Sequence, residues 1–131
     1  MISVAELDSI ARARLDDAQA LVSAGRFDAA TYLGGYAVEV ALKARICRTL
    51  NWAEFPSTGS EFQAYRSFQT HDLDVLLHLS GQEARVKQNH YRFWNVMAMW
   101  TVELRYNAVG AVDQSDARAM IRAAEDLMVV L

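Results

Sequence analysis

The sequence predicts an all-α fold, an antiparallel, up-and-down bundle of about four long helices with shorter ones between them. Three observations carry this. Proline occurs once in the 131 residues, at Pro56, so almost nothing in the chain interrupts helical hydrogen bonding. Apolar residues recur at spacings of three and four, the period of one helical face. Helix-start and helix-stop residues fall where those stripes begin and end. The length suits a single domain over 1–131 that can bury a core, and 53% apolar with 22% charged residues is a globular composition rather than a disordered one.

The first helix starts at Ser3-Val4-Ala5-Glu6, which has the form of a capping box. Val4, Leu7, Ala11, Leu15, Ala18 and Val22 give it one apolar stripe, and Gly25 ends it. A second helix starts near Asp28, a good N-cap, and runs to about Thr49 with Leu33, Ala37, Val40, Ala44 and Cys47 as its core seam. Residues 51–69 form an irregular connection, and Phe62, Tyr65 and Phe68, three apart, predict that it packs down onto the bundle. Thr70 caps a short third helix over "HDLDVLLHL", which stops at Ser80-Gly81. A fourth helix runs from about Gln82 to Leu104 and is apolar nearly all round from Phe93 onward. A helix apolar on every face must be covered on every face, so it is expected at the centre or at the interface of a homodimer. Gly110 breaks the chain, and Ser115 or Asp116 starts a last helix that turns Ala117, Met120, Ile121, Ala124, Leu127 and Met128 inward.

Charge and cysteine usage narrow the function. The formal net charge of −3 comes with no basic tail or stripe, which argues against binding nucleic acid through the whole surface and leaves only a local basic cleft open. Cys47 is the only cysteine, so no intramolecular disulfide forms and a reducing, cytoplasmic setting is expected. The amphipathic N-terminus lacks the apolar stretch of a signal peptide, and no uncharged apolar run approaches the ~20 residues that span a bilayer, so no membrane association is expected.

Glu39 is the residue that a plain core helix does not explain, since it stands between valines just after Gly34-Gly35. Tyr32, Tyr36, Glu39 and Lys43, four, three and four apart, form a stripe beside the core seam. One account is a half-exposed face with a Glu39–Lys43 pair. The other has Glu39 facing an inter-helix cleft and meeting a cation, because a buried carboxylate is rarely left unpaired. Each interior glycine costs a helix about 1 kcal/mol relative to alanine, which points to close approach of a neighbour at Gly34 and Gly35. The candidate cation from another helix is Arg105 in "WTVELRYN" (100–107), followed by Tyr106 and Asn107. Histidine can exchange protons in metal-independent RNA cleavage while an arginine stabilises the phosphorane. Two arginines stand five residues before a histidine, Arg66–His71 and Arg85–His90, where about one such pair arises by chance. His71 and His78 are two turns apart, outside the geometry of a helical metal site. No phosphate-cradling glycine loop or nucleophile triad is present, and neither cofactor nor metal is expected.

The segments "GRFDAATYLGGYAVEVALKA" (25–44), "THDLDVLL" (70–77) and "WTVELRYN" (100–107) together resemble the HEPN domain family, in the family's order and over most of the core. The resemblance implies a helical bundle, commonly dimeric, of the kind encoded beside or fused to minimal nucleotidyltransferases in toxin–antitoxin and defence systems. Active HEPN ribonucleases carry an arginine followed after four to six residues by a histidine. Arg105 matches that arginine best, but positions 110 to 112 are Gly, Ala and Val, and no histidine follows His90. The resemblance therefore implies a non-catalytic, dimeric binding or partner subunit for a nucleotidyltransferase or a nucleotide-like ligand. Tyr32, Tyr36, Glu39, Lys43, Arg105, Tyr106 and Asn107 are then the ligand-binding candidates, and Glu39 is expected to meet Arg105 or Lys43 across a cleft. The alternative is a ribonuclease that uses Arg85 and His90, or His71 brought beside Arg105.

Overall fold

A computed structural model describes residues 1–131, and its long helices are set by the caps and stripes of the sequence. Helix α1 (Val4–Ser23) starts on the expected capping box: Ser3 Oγ accepts the Glu6 N–H at 3.2 Å, and the Glu6 carboxylate accepts the Ser3 N–H at 2.9 Å. The chain turns at Gly25, whose φ of +74° suits a residue without Cβ. Helix α2 (Phe27–Leu50) then runs back along α1, buried over most of its circumference, and stops at Asn51 in the left-handed conformation. Asp28 does not cap it. Its carboxylate instead accepts the Gly110 N–H at 2.6 Å and the Val112 N–H at 3.0 Å, tying the distant 108–112 turn to the start of α2.

The connection after α2 packs down, as its aromatic spacing predicts. A two-residue antiparallel bridge joins β1 (Ile2–Ser3) to β2 (Glu54–Phe55). Trp52 meets Tyr65 and Phe68 with ring centroids 5.0 and 4.9 Å apart, and Phe55 meets Phe62 at 6.0 Å. Helix α3 (Leu73–Leu79) follows, capped by Asp72 rather than Thr70; Asp72 Oδ1 accepts the N–H groups of Asp74 and Val75.

The single fourth helix expected over 82–104 is not formed. Helices α4 (Glu83–Asn89) and α5 (Tyr91–Met97) are separated at His90, and a 3-10 turn covers Val102–Tyr106. The physical reason lies in the apolar run itself. One straight helix would turn part of that run away from the core, whereas two breaks let Trp94, Met97 and Trp100 all bury. Each indole also finds an acceptor, Asp74 Oδ1 at 3.1 Å for Trp94 and the Tyr32 carbonyl at 3.0 Å for Trp100. Most of the run is thus covered by its own chain, with Met99 left outside at 79% exposure. Helix α6 (Gln114–Val130) starts slightly earlier than expected, on Asp113, and turns the expected Ala117, Met120, Ile121, Ala124 and Leu127 inward. The result is an all-α-class bundle with three long helices, α1, α2 and α6, and three short ones, the β1–β2 bridge being its only strand pairing. No helix is long and apolar enough to cross a membrane.

The paired glycines are explained by packing. A Cβ on Gly35 would overlap the Trp100 indole, and one on Gly34 would press on Ile121 Cδ1 at 3.1 Å. Glycine is what lets Trp100 lie against α2 closely enough to reach the Tyr32 carbonyl.

A candidate ligand-binding cleft over Glu39

Glu39 lies at the middle of α2 and is 1% exposed. Its two carboxylate oxygens have different surroundings. Oε1 accepts from Lys43 Nζ at 2.9 Å, one turn along the same helix, and lies 2.7 Å from His71 Nδ1. Oε2 is buried with no hydrogen-bond partner. Lys43 is held on the other side by the Phe55 ring, 5.7 Å from its Nζ. The cap of α3 aims His71: Thr70 Oγ1 accepts the Asp72 N–H at 3.0 Å, and Asp72 then caps the helix, which presents the intervening imidazole to α2.

A cleft of about 330 Å³ opens beside this group between α1, α2 and the β2 segment. Tyr36, Val40 and Lys43 line it from α2, Leu7 and Ile10 from α1, Phe55 and Phe62 from the connection, and Gln69, Thr70 and His71 from the approach to α3. Burial, and next the negative charge of Glu39, raise the Tyr36 pKa above its ordinary value, so its phenol stays a neutral donor. Apolar walls with a few convergent polar groups are what a small-molecule site requires.

The expected ligand-binding stripe divides between two places. Tyr36 and Lys43 line the cleft just described, while Glu39 lies behind that wall, in contact with two of its lining residues, Lys43 and His71. Tyr32, Arg105 and Asn107 line a separate cavity of about 250 Å³ near the start of α2, together with Asp28, Thr31 and Leu104. The expected meeting of Glu39 with Arg105 is therefore corrected: of the two cations considered, Lys43 is the one that pairs. The Arg105 guanidinium stacks over the Tyr106 ring at 5.0 Å instead. The Tyr106 phenol, and after it Tyr32, push the Arg105 pKa further up. Tyr106 itself is 76% exposed. Arg105 lies on a 3-10 turn that follows the broken fourth helix, so it faces the start of α2 rather than its centre.

The arginine–histidine pairs do not meet in space either. Arg85 Nη1 reaches Gln82 and the Val130 carbonyl, while His90 Nδ1 lies 2.9 Å from Asp126 Oδ2 on α6. His71 faces Glu39, and no arginine lines either cavity that it borders. No group of three or more His, Cys, Asp or Glu side chains is arranged to hold a metal ion. The contact that sequence reasoning missed is His71 to Glu39. The two are 32 residues apart, and the one signal was a lone acid in a buried helix that needed more than one donor.

No family model, no curated protein and no solved structure matches this chain.

Proposed function

We propose that the chain is a non-catalytic, HEPN-type binding subunit, homodimeric, that takes a nucleotide-like ligand and acts as the partner of a nucleotidyltransferase. The cleft over Glu39 is the ligand site in this reading, and it takes a small planar group with hydrogen-bond donors on one edge, as a nucleobase has. The observation that carries it is the unpartnered Glu39 Oε2. A buried polar oxygen without a donor costs about 1–3 kcal/mol, and a ligand N–H supplies the missing bond once His71 or Lys43, which stand between the cleft and the carboxylate, moves aside. His71, 61% exposed, covers the carboxylate from the solvent side. The cleft volume lies at the low end of the range for small-molecule sites. The ribonuclease reading needs an arginine and a histidine on one substrate, and neither the Arg85, His90 nor His71 contacts support that.

Isothermal titration calorimetry with the four common nucleoside monophosphates tests this reading. Binding to the wild type, weakened about tenfold or more in Glu39→Gln, is expected, since the amide keeps the shape but removes the charge and replaces one of the two acceptor oxygens by a donor. Absence of heat with every base at millimolar concentration would refute it.

A further inference from the structure

A second groove, of about 510 Å³, lies between α5 and α6 and shares no residue with the Glu39 cleft. Arg92 and Phe93 line it from α5, and Arg118 and Arg122 line it from α6, with Gln114 and Ser115 at its end. Arg118 and Arg122 are one turn apart on α6, so they share a face. None of the groove's lining residues is acidic, and none of the three arginines makes an ion pair.

That lack of pairing is informative because acids are close by in sequence. Asp113 is spent as the α6 cap on the Asp116 N–H, Glu125 accepts from Gln19 of α1, and Asp126 faces His90. Asp116 is two residues from Arg118, which puts it on another side of the helix. Every neighbouring carboxylate is thus turned elsewhere, and three guanidinium groups face one groove in a chain whose net charge is −3. Like charges gathered this way repel unless an anion separates them. The guanidinium fork matches phosphate oxygens in pairs. Phe93 gives the floor a half-buried apolar surface.

We propose that the α5–α6 groove is a binding site for an oligophosphate group, with Arg92, Arg118 and Arg122 as its ligands. The chemistry needs at least two adjacent phosphates, because three cations over this volume exceed what one phosphate can neutralise. The site is independent of the Glu39 cleft.

Titration of the wild type with inorganic tripolyphosphate at low ionic strength, followed by calorimetry, is the test. Binding is expected to weaken about tenfold or more in Arg118→Gln/Arg122→Gln and to fall steeply with added salt. Glu39→Gln should bind as the wild type does, which separates this site from the cleft. A parallel titration with a short single-stranded DNA identifies the source of the phosphates. Tripolyphosphate binding with or without DNA binding upholds the proposal. DNA binding alone, no binding at all, or affinity unchanged in the double-arginine variant would overturn it. Circular dichroism of that variant checks that it folds, and Arg92→Gln alone, on α5, gives a second variant with the same expected direction.

Discussion

Replacing Glu39 by alanine tests whether the carboxylate is there for stability or for a ligand. Removing one member of a buried ion pair costs about 3–5 kcal/mol when the remaining charge is fully buried. Lys43 is 18% exposed and long enough to reach water, and His71 is mostly solvated, so the lower end of that range applies. Against it stands the removal of the unsatisfied Oε2, which returns about 1–3 kcal/mol. The expected loss for Glu39→Ala is therefore only about 0–2 kcal/mol. The double variant Glu39→Leu/Lys43→Met removes both charges and keeps the volume. It should be as stable as the wild type or more so, because apolar replacements of buried ion pairs are commonly neutral or stabilising. Equilibrium unfolding in urea, with unchanged slope, measures both. A Glu39→Ala loss well above about 3 kcal/mol would mean that Oε2 carries no penalty in the wild type, and the argument from an unsatisfied oxygen would fail. A double variant less stable than Glu39→Ala would mean that the pair is a structural one, and the argument for a ligand would fail with it.

Gly35→Ala should destabilise by about 1–3 kcal/mol through overlap with Trp100 and shift the tryptophan fluorescence, although alanine is the better helix former by about 1 kcal/mol; a neutral or stabilised variant would contradict the close approach. The chain is expected to be a homodimer at micromolar concentration, since Met99, Tyr106 and Val109 leave apolar surface outside, and a stable monomer by light scattering would overturn this. Metal-free protein incubated with labelled single-stranded RNA should give no cleavage, because no histidine faces an arginine across a cavity. Cleavage abolished by Arg105→Ala or His90→Ala would sink the non-catalytic reading.

The helices whose ends carry local signals were legible. Ser3 and Glu6 specify the start of α1 within four residues, and the α6 stripe from Ala117 to Leu127 needs nothing outside itself. The break at His90 was not legible, because "QNHYRFW" holds no glycine or proline and is driven by where Trp94 and Trp100 find room and acceptors. The same limit applies to the site. Glu39 and Lys43 are one turn apart and could be paired from spacing alone. His71 reaches Glu39 only because α3 packs on α2, and Asp28 gave up its capping role for the Gly110 and Val112 amides, more than 80 residues away. The arginine groove was hidden for a further reason. Its three cations come from two helices, and around Arg118 and Arg122 the acids Asp113, Asp116, Glu125 and Asp126 balance the local charge in sequence until folding turns them aside.

The central claim, that the Glu39 cleft is a ligand site, is tested most directly by amide NMR spectra of the protein titrated with nucleoside monophosphates. Saturable shifts confined to Tyr36, Val40, Lys43 and Gln69–His71, and absent in Glu39→Gln, are the predicted result. Shifts elsewhere with this cleft silent, or identical shifts in Glu39→Gln, would contradict it.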